Sequence, residues 1–220
     1  CHTFEKLKYR HYKWVSQTNQ YRLNLFLKDH PTIRSEVARI LPNYPPKDWT
    51  DRNSARKNEE PIRVVYIGAL SRESLYLEEF TNWVSAHEGE VTLDIFSNNF
   101  KQSAVELIEK LNSPLIAFRG DTDYHEIPNI LRAYNVGVIL YKGESENHVY
   151  SVPNKLFEYH SCGLDVWIPD SILGSLPYTT QGTYPKITAL DFKSLEKIDL
   201  NELVSRENLV YEPNSLNAEK

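Results

Sequence analysis

The chain has 220 residues, a mass of 25.6 kDa, 40% hydrophobic residues and 25% charged residues, which is the composition of an ordinary globular protein. Its net charge of −5 disfavours a nucleic-acid-binding protein, which usually carries a clustered basic face. No apolar run reaches the roughly 18 residues of a membrane-spanning helix. Two cysteines, Cys1 and Cys162, are too few for a disulfide framework or a metal-ligand cluster. We therefore expect reduced thiols and a cytoplasmic location.

The first residue is Cys1, the sequence contains no methionine, and residues 1–10 have the pattern of neither a signal peptide nor a transit peptide. We expect the chain to be a segment of a longer protein, with part of its functional site in the missing portion.

The first sixty residues differ in pattern from the rest. Residues 12–17 are predicted as a strand and residues 20–28 as a helix, and a proline-rich stretch over 41–49 precedes a polar linker over 51–60. One strand and one helix cannot enclose a core. Residues 1–60 are therefore interpreted as the short remnant of an N-terminal domain followed by a linker. They should pack on the edge of the next domain or against another chain.

From residue 61 onward, apolar strand patterns alternate with helical patterns. Strands are predicted at residues 62–67, 91–96, 115–118, 136–141, 165–169 and 186–190, and helices at 73–87, 101–111, 127–134, 154–162 and 195–204. This alternation requires a parallel sheet with helices on both faces. Residues 61–220 are thus predicted to form a doubly wound, Rossmann-like α/β domain with at least five strands.

Ligands of open parallel sheets bind beyond the carboxyl ends of the strands. Gly68 follows the first predicted strand and permits close backbone approach, and Arg72 is an anion-binding side chain nearby. A glycine required only by a strand-to-helix turn explains Gly68 equally well. Ser97 stands where a nicotinamide ribose would require an acidic residue, and the loop lacks the GxGxxG pattern. A dinucleotide-binding site is therefore disfavoured.

The most informative stretch follows the fourth predicted strand. Ser151 is predicted as the N-cap of a helix, with Pro153 in its first turn. The amides at this helix start favour an anion such as a diphosphate, and Lys155 adds a positive charge. One turn later, Glu158 offers a carboxylate that can accept two hydrogen bonds from a ribose diol. A solvent-exposed helix face is the alternative, but the apolar neighbours of Glu158 predict that it is partly enclosed.

Several motifs stand in the order and spacing of a known family. They are Tyr66-Ile67-Gly68, Phe118-Arg119-Gly120, the run at 125–128, and Pro153-Asn154-Lys155-Leu156-Phe157-Glu158-Tyr159 followed by the run at 162–166. Residues 62–169 resemble the C-terminal, donor-binding half of the GT-B glycosyltransferases, specifically the family-4-like (group 1) enzymes of bacterial polysaccharide synthesis. Residues 15–19 and 41–45 resemble the end of the acceptor domain and the crossover that follows it.

The resemblance implies a retaining, metal-independent glycosyltransferase without a cofactor. It would bind a nucleotide-diphosphate sugar and transfer the sugar to a glycan or lipid-linked acceptor in surface polysaccharide synthesis. Its implied partners are these substrates and the N-terminal domain of the same protein, through which it would associate with the inner face of the membrane. The isolated segment is expected to be inactive.

The resemblance also implies roles for individual residues. Glu158 matches the second glutamate of the E-x7-E motif, which holds the nucleotide ribose, and Gly68 matches the glycine of the first loop. The family segment that faces the donor diphosphate corresponds here to Ser151, Val152, Asn154 and Lys155. The family's turn near the nucleobase corresponds to Arg119 and Gly120.

Three positions depart from the family pattern, one of which is the lysine that the family carries a few residues after the first-loop glycine and that this chain lacks. The first glutamate of E-x7-E falls at Tyr150, so its sugar-contacting role is vacant or is taken by Glu144 or Glu146. The arginine that commonly follows the first-loop glycine is replaced by Ala69. Arg72 or Lys155 would then compensate for it.

These departures keep two alternatives open. One is a non-catalytic nucleotide-sugar-binding domain, and the other is a nucleotide-sugar epimerase of the same fold, which would need further carboxylates and a histidine in the cleft. The scattered histidines His125, His148 and His160 are interpreted as structural or solvent-facing. No residue is assigned to a metal.

Overall fold

The computed structural model describes residues 9, 12–50, 61–205, 207, 209–212 and 216. The strands within them are β1 Val15–Gln17, β2 Ala38–Ile40, β3 Ile62–Ile67, β4 Val91–Phe96, β5 Ile116–Gly120, β6 Val136–Val138, β7 Asp165–Pro169, β8 Thr183–Tyr184, β9 Ile187–Leu190 and β10 Val210–Tyr211. The α-helices are α1 Gln20–Asp29, α2 Leu77–Ala86, α3 Gln102–Leu111, α4 Ile127–Leu131, α5 Glu146–Val149, α6 Asn154–Ser161 and α7 Leu200–Val204.

Six strands form the central sheet, in the order β5-β4-β3-β6-β7-β9, and every neighbouring pair is parallel. The predicted doubly wound parallel sheet with at least five strands is therefore confirmed. Chain order reverses between β3 and β6, so the carboxyl ends of these two strands form the topological switch point at which open α/β sheets bind ligands.

The core lies on both faces of this sheet. On one face, α2, α3 and α7 bury apolar side chains such as Phe80, Ile108 and Leu203. On the other face, α4 and α6 bury Leu131 and Phe157. Burying an aliphatic or aromatic side chain of this size contributes about 1.5–3 kcal/mol. The two-sided burial explains why the central strands have continuously apolar sequences.

Long-range backbone pairing shifts the ends of several predicted elements. The helix predicted from residue 73 begins at Leu77, because Tyr76 N donates to Leu140 O at 2.6 Å and Leu75 forms a β-bridge with Tyr141. For the same reason, the strand predicted over 136–141 is regular only to Val138. The segment predicted as a helix over 195–204 is a short 3-10 turn followed by α7, and the helix predicted to residue 134 ends at Leu131.

A short helix was not predicted in the loop over 142–150. It is α5, and Ser145 caps it by accepting a hydrogen bond from His148 N through its hydroxyl at 3.3 Å.

The N-terminal segment has a sheet of its own, in which β1 and β2 pair in parallel around α1. It was expected on the edge of the large sheet or against another chain. Its described part packs instead on α6, where Tyr44 meets the ring of Phe157 at 4.7 Å and Cys162 Sγ lies 3.5 Å from Trp49 O. The linker predicted over 51–60 lies outside the described residues. Within the described residues, no helix combines the length and apolar character that crossing a bilayer requires.

Candidate functional site

A cavity of about 460 Å³ opens at the carboxyl ends of β3 and β6. Its lining comes from two distant parts of the chain. These are Thr18, Arg22 and Asn43 from the N-terminal segment, and Ile67, Tyr124, Ile127, Tyr141, Asn147, His148, Ser151, Val152, Pro153, Asn154, Lys155 and Glu158 from the large α/β unit. A second cavity of about 220 Å³ adjoins it, and Ile67, Tyr124, Ile127 and Lys155 line both. The switch point therefore carries a divided cleft.

Glu158 lies on α6 with only 7% of its surface exposed, so the prediction that it is enclosed is confirmed. Its carboxylate lines the larger cavity and has no hydrogen-bond or ion-pair partner among the residues that the structure describes. Burial raises the pKa of Glu158, and the nearby Lys155 ammonium partly opposes that rise. A buried carboxylate without a partner is costly, which makes Glu158 a candidate for ligand binding.

Lys155, also on α6, lines both cavities. Burial lowers its pKa, and the charge of Glu158 acts in the opposite direction. Its side chain crosses directly over Gly68, so that a Cβ atom at Gly68 would lie 2.7 Å from Lys155 Cε. Gly68 also has φ 153°, which favours glycine. The positive φ favours a glycine here, and any Cβ atom would in addition force the end of the Lys155 side chain to move.

Tyr159 holds α6 against the end of β3. Its hydroxyl oxygen accepts a hydrogen bond from Ile67 N at 2.9 Å, and its ring packs on Gly137, where a Cβ atom would lie 2.2 Å from the ring. The side chain is fully buried. Tyr159 thus sets the separation between the Gly68 loop and the two charged residues of α6.

The start of α6 differs from the predicted cap. Pro153 occupies the N-cap position and provides no side-chain hydrogen bond. Ser151 does not cap α6, because its hydroxyl donates to His148 O at 2.8 Å and so closes the preceding helix α5. The first amides of α6 are consequently left without a side-chain cap next to the cavity, while Asn154 Oδ1 accepts from Asn43 Nδ2 at 2.9 Å.

Tyr150 is absent from the described lining of both cavities. Its ring stacks on Tyr21 at 5.5 Å, and its carbonyl accepts a hydrogen bond from Asn19. Glu144 and Glu146, the expected substitutes, are likewise absent from the lining of these two cavities. Glu158 is the single carboxylate among the described residues that line the larger one.

Two predicted arginines stand apart from this cleft. Arg72 forms an ion pair with Glu78 at 2.8 Å and lines a separate cavity between α2 and α3. Arg119 Nε pairs with Asp94 at 3.0 Å, which raises the pKa of Arg119. The carbonyl oxygen of Gly120, a residue with φ 78°, accepts a hydrogen bond from Ser97 N. Gly120 itself is absent from the described lining of the smaller cavity, but the next residue, Asp121, is part of it.

Ten of the described lining residues of the larger cavity were not predicted as site residues, and the polar ones include Thr18, Arg22, Asn43, Asn147 and His148. Thr18 and Asn43 follow β1 and β2 closely. The rule that ligands bind beyond the carboxyl ends of parallel strands could have found them, but the strand β2 itself was not predicted.

No group of three His, Cys, Asp or Glu side chains within the described residues is arranged to hold a metal ion.

The sequence matches no protein-family model, and no curated protein matches it in sequence. Solved structures do match the fold. The lipopolysaccharide outer core galactosyltransferase WaaB, in its apo form, has a TM-score of 0.60 and 12% identity over 91% of this chain and 55% of its own. Anabaena HepE in complex with UDP-glucose has a TM-score of 0.54 and 15% identity over 84% of this chain and 52% of its own.

A TarM variant from S. aureus, in complex with Fondaparinux, alpha-GlcNAc-glycerol and UDP, has a TM-score of 0.55 and 14% identity over 88% of this chain. This chain spans about half or less of the length of these structures. They are GT-B glycosyltransferases, and the chain therefore has the fold of a GT-B glycosyltransferase half, as the sequence motifs had indicated.

Proposed function

We propose that this chain is the donor-binding part of a glycosyltransferase. It binds a nucleotide-diphosphate sugar and transfers the sugar, with retention of configuration, to a glycan or lipid-linked acceptor of surface polysaccharide synthesis at the inner face of the membrane. Residues 1–60 would end an acceptor domain and 61–220 would form the donor domain. The observation that carries the proposal is the buried, unpartnered carboxylate of Glu158 beside Lys155 at the switch point.

The carboxylate of Glu158 is suited to a vicinal diol. It needs hydrogen-bond donors, since its burial is otherwise uncompensated. The two hydroxyls of a ribose supply two donors to one carboxylate, and hydrogen bonds to a charged group contribute about 1.5–3 kcal/mol. The ligand would therefore complete the hydrogen bonding that the described protein residues leave open.

Lys155 and the uncapped start of α6 are suited to the diphosphate. A helix start attracts anions through its amides and dipole, and the Lys155 ammonium adds a full charge in the same place. Gly68 lets the ligand and Lys155 approach the backbone. During transfer, the leaving diphosphate gains negative charge, which these fixed groups would stabilise. The complexes of HepE and TarM with UDP or UDP-glucose support a donor of this class.

Calorimetric titration of the whole chain with UDP, GDP and ADP tests the proposal. We expect one of them to bind. Glu158→Gln should weaken that binding about 10- to 150-fold, the equivalent of about 1.5–3 kcal/mol. Lys155→Met should weaken the diphosphate while leaving the nucleoside unaffected. The control is Lys193→Met, which removes an exposed charge elsewhere. Equal affinities for all three variants would contradict the proposed site.

One observation favours a second candidate, a non-catalytic nucleotide-sugar-binding domain. Tyr150, at the position where the family carries its sugar-contacting glutamate, stacks on Tyr21 outside the cavity. A chain that binds the donor but transfers no sugar, even when joined to its acceptor domain, would be of this kind. A transfer assay with labelled donor on the full-length protein distinguishes the two.

A further inference from the structure

Arg22 brings a second cation into the larger cavity, from a different wall than Lys155. It lies in the first turn of α1, half-buried, and lines the cavity with Thr18. Its Nη2 donates to the carbonyl oxygen of Asn147 at 3.2 Å and also contacts the Asn147 side-chain oxygen. These contacts hold the guanidinium in one place.

Most of the hydrogen-bonding capacity of Arg22 remains open. A guanidinium has five N–H donors, and neither Nε nor Nη1 of Arg22 has a hydrogen-bond partner among the described residues. The Thr18 hydroxyl on the same wall is buried without a described partner. The His148 ring stacks on Tyr141 at 5.1 Å, and its nitrogens also have no described partner. Three side chains with unused donors thus line one region of the cavity.

The charge of the cavity is opposite in sign to that of the chain. Arg22 and Lys155 are lining cations, Glu158 is the single carboxylate among the described lining residues, and the whole chain carries −5. The proposed function assigns Lys155 and the start of α6 to the diphosphate, so Arg22 is the lining cation to which it gives no role.

We infer that Arg22, together with Thr18 and His148, binds a second anionic group of the substrate, separate from the diphosphate. The fork of a guanidinium matches a carboxylate or a phosphate in a bidentate manner. A carboxylate on the transferred sugar and a phosphate on the acceptor have this chemistry in common. The inference rests on the proposed function, because the nucleotide defines which anion is the second one.

Titration calorimetry with Arg22→Gln tests this, and Arg34→Gln, an exposed arginine of the same segment outside the cavity, is the matched control. UDP is the bare nucleotide, and UDP-glucose carries a neutral sugar, so neither presents a second anion. UDP-glucuronic acid tests a carboxylate on the sugar. Glycerol 3-phosphate, added with saturating UDP, tests a phosphate on the acceptor. If the chain binds GDP and not UDP, then GDP, GDP-mannose and GDP-mannuronic acid take the places of UDP, UDP-glucose and UDP-glucuronic acid.

We expect Arg22→Gln to lower the affinity for either the acidic sugar nucleotide or glycerol 3-phosphate about tenfold or more. A tenfold loss corresponds to about 1.4 kcal/mol of binding free energy. The responding probe identifies the source of the anion. Arg22→Gln and Arg34→Gln should both keep the affinity for the bare nucleotide within about twofold, which shows that the Asn147 loop is intact. Arg22→Lys should bind the anionic probe better than Arg22→Gln but less well than wild type.

If wild type and Arg22→Gln bind every anionic probe with equal affinity, the inference is overturned, while the proposed nucleotide site is unaffected. If no nucleotide binds, the proposed function fails by itself. Glycerol 3-phosphate alone then tests Arg22 directly, and equal binding to wild type and Arg22→Gln overturns the inference as well.

Discussion

The side-chain nitrogen of Asn19 donates a hydrogen bond to the carbonyl oxygen of Tyr150 at 2.8 Å, across 131 positions of sequence. The side-chain oxygen of the same residue accepts from Arg22 N at 2.9 Å and so caps α1. Asn19 is only 5% exposed. One buried amide therefore joins the N-terminal segment to the loop that leads into the diphosphate-binding residues proposed here.

Replacing Asn19 separates these two roles. Asn19→Asp keeps an oxygen that caps α1 equally well, but it removes the donor to Tyr150. The Tyr150 carbonyl then loses its partner, and we expect the free energy of unfolding to fall by about 1–3 kcal/mol. Urea unfolding followed by circular dichroism measures this. The control is Asn24→Asp, an exposed change on the same helix. Equal stabilities of the two variants would show that the bond contributes nothing.

Tyr159→Phe removes the acceptor of the buried Ile67 N–H without opening a cavity. We expect a loss of about 1–3 kcal/mol in stability, the cost of an unsatisfied buried donor. Nucleotide affinity should also fall, because Gly68 follows Ile67 directly. Thermal melts and titration calorimetry measure the two effects, with the exposed Tyr12→Phe as control. Lower stability with unchanged affinity would mean that Tyr159 does not position the site.

Gly68→Ala should impair binding as well as stability. A Cβ atom there would displace Lys155, and the positive φ adds strain of about 1–3 kcal/mol. Gly89→Ala is the matched control, because Gly89 has φ 82° with nothing within 4 Å of an added Cβ. Both variants should lose stability, whereas only Gly68→Ala should weaken nucleotide diphosphate binding in calorimetry. A loss of affinity in both variants would contradict the specific contact with Lys155.

Glu158→Gln should make the unliganded protein more stable at neutral pH. Burial raises the pKa of Glu158, so the folded state disfavours the ionised carboxylate. The penalty is absent below the ordinary pKa of a glutamate, grows as pH rises toward the folded-state pKa, and is complete above it. The melting temperature of Glu158→Gln should therefore exceed that of wild type at pH 7 and approach it in acid. The exposed Glu196→Gln should show no such trend. A constant difference at every pH would exclude titration of Glu158 as its cause.

Much of the α/β fold was predictable because its signals are local. The strands β3, β4 and β7 have the bounds that their apolar and β-branched residues predicted, and β7, which is covered on both faces, buries all five of its residues. Gly68, Lys155 and Glu158 were found from their places after a strand and at a helix start, which are also local features. The ends of α2 and β6 were missed, because bonds from Leu75 and Tyr76 to the distant Tyr141 and Leu140 decide them.

The sequence by itself determined the parallel sheet and the charged pair on α6, since both follow from periodicity or from the order of elements, whereas the strand order that locates the switch point came from the tertiary structure. The tertiary structure alone decided which side chains have partners. Arg72 and Arg119 have positive charges that the sequence cannot distinguish from that of Lys155, yet Glu78 and Asp94 neutralise them. Arg22 enters the cavity because the start of α1 contacts the loop before α6, through Asn19 and Tyr21 on Tyr150. Such pairings depend on the distances between elements remote in sequence, and no local pattern encodes those distances.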